Sequence, residues 1–273
     1  MDRGDHGRTC QVPTASSARS RATILVMIIV ANWKAIVADL HEAKRLVAAA
    51  QNINRGKSTV IVAPPFPFIA ELALPKPKLA FAGQDISAQD AGSHTGEVTG
   101  AALKEAGARY VIIGHSERRA RGETDAEVAV KTKKALAAGL TPIVCVGERE
   151  RDSDAEYLAF VRREIDAVYE GLSKKEAGKI MLAYEPVWAI GKSAESALNP
   201  EDLVEMVGYI RKVVAQHSSK KEADSTPILY GGSVDETNVH ALTHETGVVG
   251  VLVGRASTTV KTFSSLAQAL SHA

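Results

Sequence analysis

Six short polar groupings in the chain each follow a run of apolar, largely β-branched residues. They are Asn32-Trp33-Lys34, Gln84-Asp85, Gly114-His115-Ser116-Glu117, Tyr184-Glu185-Pro186, Gly231-Gly232-Ser233 and Gly254-Arg255-Ala256. A carboxylate such as Glu185, partly desolvated at a strand end, can serve as a general base. An imidazole and an ammonium, here His115 and Lys34, can stabilise charge developing on a carbonyl oxygen. Two glycine-rich turns leading into helices offer backbone N–H groups to an anion, most often phosphate. No cluster of His, Asp and Glu has metal-ligand spacing. Base, electrophile and anion cradle without metal or cofactor point to proton transfer beside the carbonyl of a phosphorylated small molecule.

Such distant residues can meet only if the elements carrying them converge. From Met27 onward, apolar runs appear at 27–32, 59–64, 79–84, 110–114, 142–147, 180–185, 227–232 and 249–254. Near-continuous apolar strands of this length suit a parallel sheet covered on both faces. Between them lie segments of helical spacing at Asp39–Ala50, Pro67–Leu74, Thr99–Ala106, Asp125–Ala138, Asp154–Gly171, Pro200–Gln216, Asp235–Thr243 and Ser264–Leu270. Thr124-Asp125 and Asn199-Pro200-Glu201-Asp202 read as helix starts, and Gly107, Gly139 and Gly171 as helix stops. Eight strands alternating with eight helices predict a single-domain α/β fold of the (β/α)8 barrel type, with its site at the carboxyl ends of the strands. An open doubly wound sheet would carry a glycine-rich fingerprint after the first strand, where Ala31-Asn32-Trp33-Lys34-Ala35 stands instead.

Bulk properties narrow the partners. The chain has 273 residues, 45% of them hydrophobic, and a formal net charge of +1. That charge favours neither nucleic acid nor a membrane surface, so anion recognition must be local. The two cysteines, Cys10 and Cys145, lie far apart without metal-ligand or redox spacing, which fits a reducing cytoplasmic setting. Residues 1–26 read as an N-terminal extension, polar and disordered over most of its length, ahead of a barrel domain over 27–273. The apolar run at 24–30 is too short to span a bilayer and lacks a cleavage site.

Five motifs make the reading specific. ANWK (31–34), GHSERR (114–119), CVGE (145–148), AYEPVWAIG (183–191) and YGGSV (230–234) resemble those of the triosephosphate isomerase family, in the family's order and at similar spacing. The resemblance implies a (β/α)8 barrel that interconverts dihydroxyacetone phosphate and D-glyceraldehyde 3-phosphate through an enediolate. It implies Glu185 as the base, and His115 as the neutral imidazole that polarises the carbonyl, facing Glu185 across the substrate. It implies Lys34 as the stabilising cation, Asn32 as a positioning amide and Glu117 as a carboxylate in the same site. Pro186–Ala194 resembles a lid over the phosphate, with Val187, Trp188 and Ile190 as its exposed apolar inner face. Gly191, Ser233, Gly232 and Gly254 match positions that bind the phosphate. The resemblance also implies a homodimer, in which the loop Ser87–Glu97 carries Thr95 to the neighbour's site.

The chain departs from the family pattern in places. After AIG (189–191), at the lid's C-terminal hinge, the chain reads KSAESALNP (192–200) where the family commonly reads TGKTA, and Arg255 replaces the second of two glycines. Arg255 is expected to add a phosphate contact, cover the altered lid or shrink the pocket. These departures keep open a related isomerase for a four-carbon ketose phosphate; a non-catalytic barrel is disfavoured by the intact Asn32, Lys34, His115 and Glu185. Other residues read as structural rather than reactive: Cys145 as a buried core thiol, Gln84 at the end of the third strand, Arg118 in a salt bridge with Glu117, and Lys131, Lys133 and Lys134 on a solvated helix face.

Overall fold

A computed structural model describes residues 27–54, 58–151, 155–191, 198–244 and 246–271. The expected extension over 1–26 and the far end of the lid, from Lys192 onward, lie outside the described residues.

The eight apolar runs form eight parallel strands: β1 Met27–Asn32, β2 Ser58–Ala63, β3 Ala80–Gly83, β4 Tyr110–Ile113, β5 Thr141–Val146, β6 Met181–Tyr184, β7 Ile228–Tyr230 and β8 Gly250–Val253. Each pairs with the next in sequence, and β8 returns to β1, closing the barrel. Ile28 faces Gly250 across that closure. A Cβ on Gly250 would lie 1.9 Å from the Ile28 carbonyl oxygen, so only glycine lets the two backbones approach.

Alternation along the strands explains why the runs are apolar throughout. Val30, Ile61, Ile112, Ile143, Leu229 and Leu252 belong to the core inside the barrel. Their neighbours Ile29, Val60, Val111, Val144, Tyr230 and Val253 point outward into the larger core beneath the helices. The same parity, continued past the last apolar residue, brings Asn32, Glu185, Gly231 and Gly254 to the inner mouth of the barrel.

The eight expected helices are present, at Leu40–Asn54, Phe66–Ala73, Gly100–Glu105, Asp125–Ala137, Glu156–Tyr169, Pro200–His217, Val239–Thr243 and Val260–Ser271. Each amphipathic face that reaches the outer core, such as Ala43, Leu46, Val47 and Ala50, removes apolar area from water. A fully buried leucine contributes about 1.5–3 kcal/mol. Thr124 and Glu127 form a reciprocal capping box, and the Asn199 side chain accepts the Asp202 N–H ahead of Pro200. Gly107, Gly139 and Gly171 end their helices with φ of 96°, 73° and 72°. Three short helices were not expected: Ser116–Arg119, Lys174–Ala177 and Lys220–Ser225.

Two structural readings need correction. Lys131 is buried, not solvated, because Asp85 and Glu123 both bind its ammonium. Arg118 pairs with Asp85 at 2.9 Å rather than with Glu117. Both pairings draw Asp85 away from the mouth, so the end of β3 does not line the cavity there. No described helix is long and apolar enough to cross a membrane.

Candidate active site

A cavity of about 890 Å³ opens at the carboxyl ends of the strands. Asn32, Lys34, His115, Glu117 and Glu185 all line it, as do Gly191, Gly232, Ser233, Gly254 and Arg255. Thr95 does not; it stands on an exposed segment with no helix or strand between β3 and the helix at Gly100.

Lys34 follows β1 in a left-handed conformation, φ 51°. A non-glycine residue there costs about 1–2 kcal/mol. Three contacts hold it: the Lys34 N–H donates to Asn32 Oδ1 at 3.0 Å, and Gln84 Nε2 donates at 2.9 Å both to the Lys34 carbonyl and to Ala63. Strain over-determined by its surroundings in this way is characteristic of functional positions. Gln84 therefore acts as a structural clamp, as its sequence context suggested. The ammonium of Lys34 donates to Glu117 Oε1 at 2.7 Å. Burial opposes ionisation of Glu117, but the Lys34 hydrogen bond and charge outweigh it and hold the carboxyl below its ordinary range. Gly254 makes room for the lysine, since a Cβ there would sit 3.1 Å from Lys34 Cε.

His115 caps the short helix Ser116–Arg119. Its Nδ1 accepts the Glu117 N–H at 3.1 Å. An Nδ1 used as acceptor carries no proton, which leaves Nε2 as the N–H of a neutral imidazole. That Nε2 lies 3.4 Å from Glu185 Oε1.

Glu185 is 2% exposed, so its desolvation is nearly complete rather than partial. Its N–H donates to the Val146 carbonyl at 2.8 Å, and its Oε2 accepts the Ser116 N–H at 2.9 Å. Oε1 has no hydrogen-bond partner among the described residues. A buried carboxylate oxygen left without a donor is expensive and marks a group kept for another purpose. The 3.4 Å separation from His115 admits nothing between the two side chains. The two side chains adjoin in one cavity, with the Ser116 N–H holding the carboxylate. The role of the Ser116 N–H was missed, because the short helix that aims it was not expected. Below them, burial and the Glu185 charge push the Cys145 thiol well above its ordinary range, consistent with an inert core residue.

On the lid side, Val187–Ala189 forms a 3-10 turn, and Val187, Trp188 and Ile190 are half-buried rather than exposed. Trp188 Nε1 donates to Glu148 Oε1 at 2.9 Å, and the Tyr184 hydroxyl donates to the same buried carboxylate at 2.9 Å. Arg151 lies over the Trp188 ring, 5.8 Å from its centroid, and binds Asp202 at 2.9 Å. These partners explain the burial of Trp188, and neither Glu148 nor Arg151 had been assigned a task from sequence. Ser233 Oγ donates to the Ala189 carbonyl at 2.8 Å, and Arg255 Nη2 donates to the Gly191 carbonyl at 3.0 Å. Gly191 itself needs φ 77°. The rest of the expected lid, Lys192–Ala194, lies outside the described residues.

With this geometry in hand, the comparisons with known proteins agree. The family model described as Triosephosphate isomerase matches residues 27–270. A protein named triosephosphate isomerase from Alkalilimnicola ehrlichii is 43% identical over 235 residues, covering 84% of this chain and 92% of that protein. Those of Ralstonia nicotianae and Leifsonia xyli subsp. xyli are each 38% identical, covering 89% and 90% of this chain and 98% of each relative. The fold, the convergence of strand-end residues on one cavity and these similarities together establish that the chain belongs to the triosephosphate isomerase family.

Proposed function

We propose that the chain interconverts dihydroxyacetone phosphate and D-glyceraldehyde 3-phosphate in the cytoplasm, in glycolysis and gluconeogenesis. The observation that carries this reading is the buried Glu185 carboxylate, 3.4 Å from His115 Nε2 and in one cavity with Lys34. Substrate enters beside the pair, and Glu185 leaves the Ser116 N–H to take a proton from the carbon next to the carbonyl. The C–H electron pair becomes the carbon–carbon double bond of an enediolate, and the carbonyl oxygen takes up the negative charge. His115 Nε2–H and the Lys34 ammonium stabilise that oxygen. His115 moves protons between the two oxygens, and Glu185 returns its proton to the neighbouring carbon. Asn32 fixes the Lys34 backbone, and Glu117 orients its ammonium.

The phosphate is held by backbone N–H groups at Gly191, Gly232, Ser233 and Gly254, with Arg255 as an added cation. The lid keeps water from the enediolate, which would otherwise eliminate phosphate. The active unit is a homodimer, in which Thr95 on its exposed loop completes the partner's site. A coupled assay on purified protein, reading dihydroxyacetone phosphate by NADH oxidation through a dehydrogenase, tests the reading. Turnover of the three-carbon substrate with the higher kcat/KM is expected. Equal or better turnover of a four-carbon ketose phosphate would reassign the substrate, and no turnover of either would remove the activity.

A further inference from the structure

Beneath the cavity, the helix Glu156–Tyr169 sends Glu164 inward, with its side chain fully buried. Its Oε2 accepts the Gly147 N–H at 2.8 Å. Its Oε1 lies 3.2 Å from Arg119 Nη1 yet makes no hydrogen bond among the described residues. Arg119 in turn donates from Nε to the Gly114 carbonyl at 2.9 Å, from Nη2 to the Cys145 carbonyl at 3.4 Å and from Nη1 to Asp125 at 2.6 Å.

The backbone these groups grip is the backbone that seats the two central side chains. Gly114 directly precedes His115. Val146, between Cys145 and Gly147, accepts the Glu185 N–H at 2.8 Å. Gly147 packs so closely on Glu185 that a Cβ would stand 1.9 Å from its carbonyl oxygen. A shift of Gly147 therefore moves Glu185.

We propose that Arg119 and Glu164 form a positioning pair for the isomerisation, holding the ends of β4 and β5 so that His115 and Glu185 stay in register. The proposal rests on the catalytic reading above. It adds a dependence on the charge state of Glu164. The groups facing that carboxyl are Arg119 from the helix Ser116–Arg119, Asp125 at the start of the next helix, Arg163 on its own helix and the Cys145 thiol from β5. Burial pushes the Glu164 carboxyl up to about 7, against the pull of Arg119 and the Gly147 N–H. Ionised, Glu164 attracts Arg119 and holds Gly147 strongly. Protonated, it leaves Arg119 to Asp125 and the two carbonyls, and its grip on Gly147 weakens.

The test compares wild type with Glu164→Gln, which keeps an acceptor for Gly147 but neither charges nor titrates. Every ionisable group other than residue 164 is common to both proteins, so the ratio of wild-type to variant kcat isolates the contribution of Glu164. That ratio is expected to rise from near one at pH 6 to about fivefold at pH 8.5, with KM little changed, as a displacement of a few tenths of an ångström implies. A flat ratio in active proteins overturns this proposal alone, whereas an inactive wild type overturns the catalytic reading and this proposal with it. Should the variant not fold, the Gly147 amide resonance of wild type decides. It should titrate near neutrality, and a resonance that stays fixed from pH 6 to 8.5 refutes the coupling.

Discussion

Shortening one side chain puts the proposed chemistry at greatest risk. Glu185→Asp removes one methylene and draws the carboxylate back by roughly 1.5 Å, a carbon–carbon bond length. The 2.9 Å bond from the Ser116 N–H then stretches beyond hydrogen-bond reach, and the 3.4 Å separation from His115 Nε2 widens. A misplacement of about 1 Å costs on the order of 100-fold in rate. A kcat lower by about 100- to 1,000-fold is therefore expected, or about 3–4 kcal/mol in the barrier. Stability should change far less. One buried methylene is worth about 0.8 kcal/mol, and each kcal/mol moves Tm by about 2–4 °C in a domain of this size. KM should stay within a few-fold, because Glu185 takes no part in the phosphate cradle. The coupled assay supplies kcat and KM, and thermal denaturation followed by circular dichroism supplies Tm. A variant that turns over within threefold of wild type would refute Glu185 as the base; a rate loss matched by wholesale unfolding would refute the claim that the methylene matters through position.

Two further outcomes follow from close contacts. Gly147→Ala would place a methyl 1.9 Å from the Glu185 carbonyl oxygen, so the ends of β5 and β6 must part; chemical denaturation should show a loss of about 1–3 kcal/mol or more, with kcat falling in the protein that remains folded. Arg255→Ala removes the donor to the Gly191 carbonyl at the cavity rim; stability should hold within about 0.5 kcal/mol while KM for the triose phosphate rises several-fold, and an unchanged KM would exclude Arg255 from the cradle.

The barrel was legible because its strands are buried on both faces and so write unbroken apolar runs. MIIVAN became β1 over the same six residues. Two of the unexpected helices had also left a signal: Ser173 with Glu176 and Ser219 with Glu222 are capping boxes. They were passed over because four to six residues give no apolar period to read. Lys131 could not have been read as buried from its own helix, since Asp85 lies 46 positions away and on another element. Glu164 is a similar case. Its helical neighbours mark it as inward-facing, but its partners come from elsewhere: Arg119 from the short helix after β4, and Gly147 from the end of β5. The strand-end positions of Asn32, Lys34, His115 and Glu185 followed from sequence, whereas the bond from the Ser116 N–H to Glu185 depends on a main-chain direction that residue types do not encode.

The seam between β1 and β8 joins opposite ends of the domain, while every other pairing in the sheet joins near neighbours in sequence. A chain emerging from the ribosome can thus add one strand–helix unit after another, but it cannot seal the cylinder until Gly250 reaches Ile28. Until then two rows of N–H and C=O groups stay open, each a template for another unfinished chain. The missing side chain at residue 250 is what allows that last fastening, so a bulkier residue there would lengthen the vulnerable interval as well as weaken the finished protein.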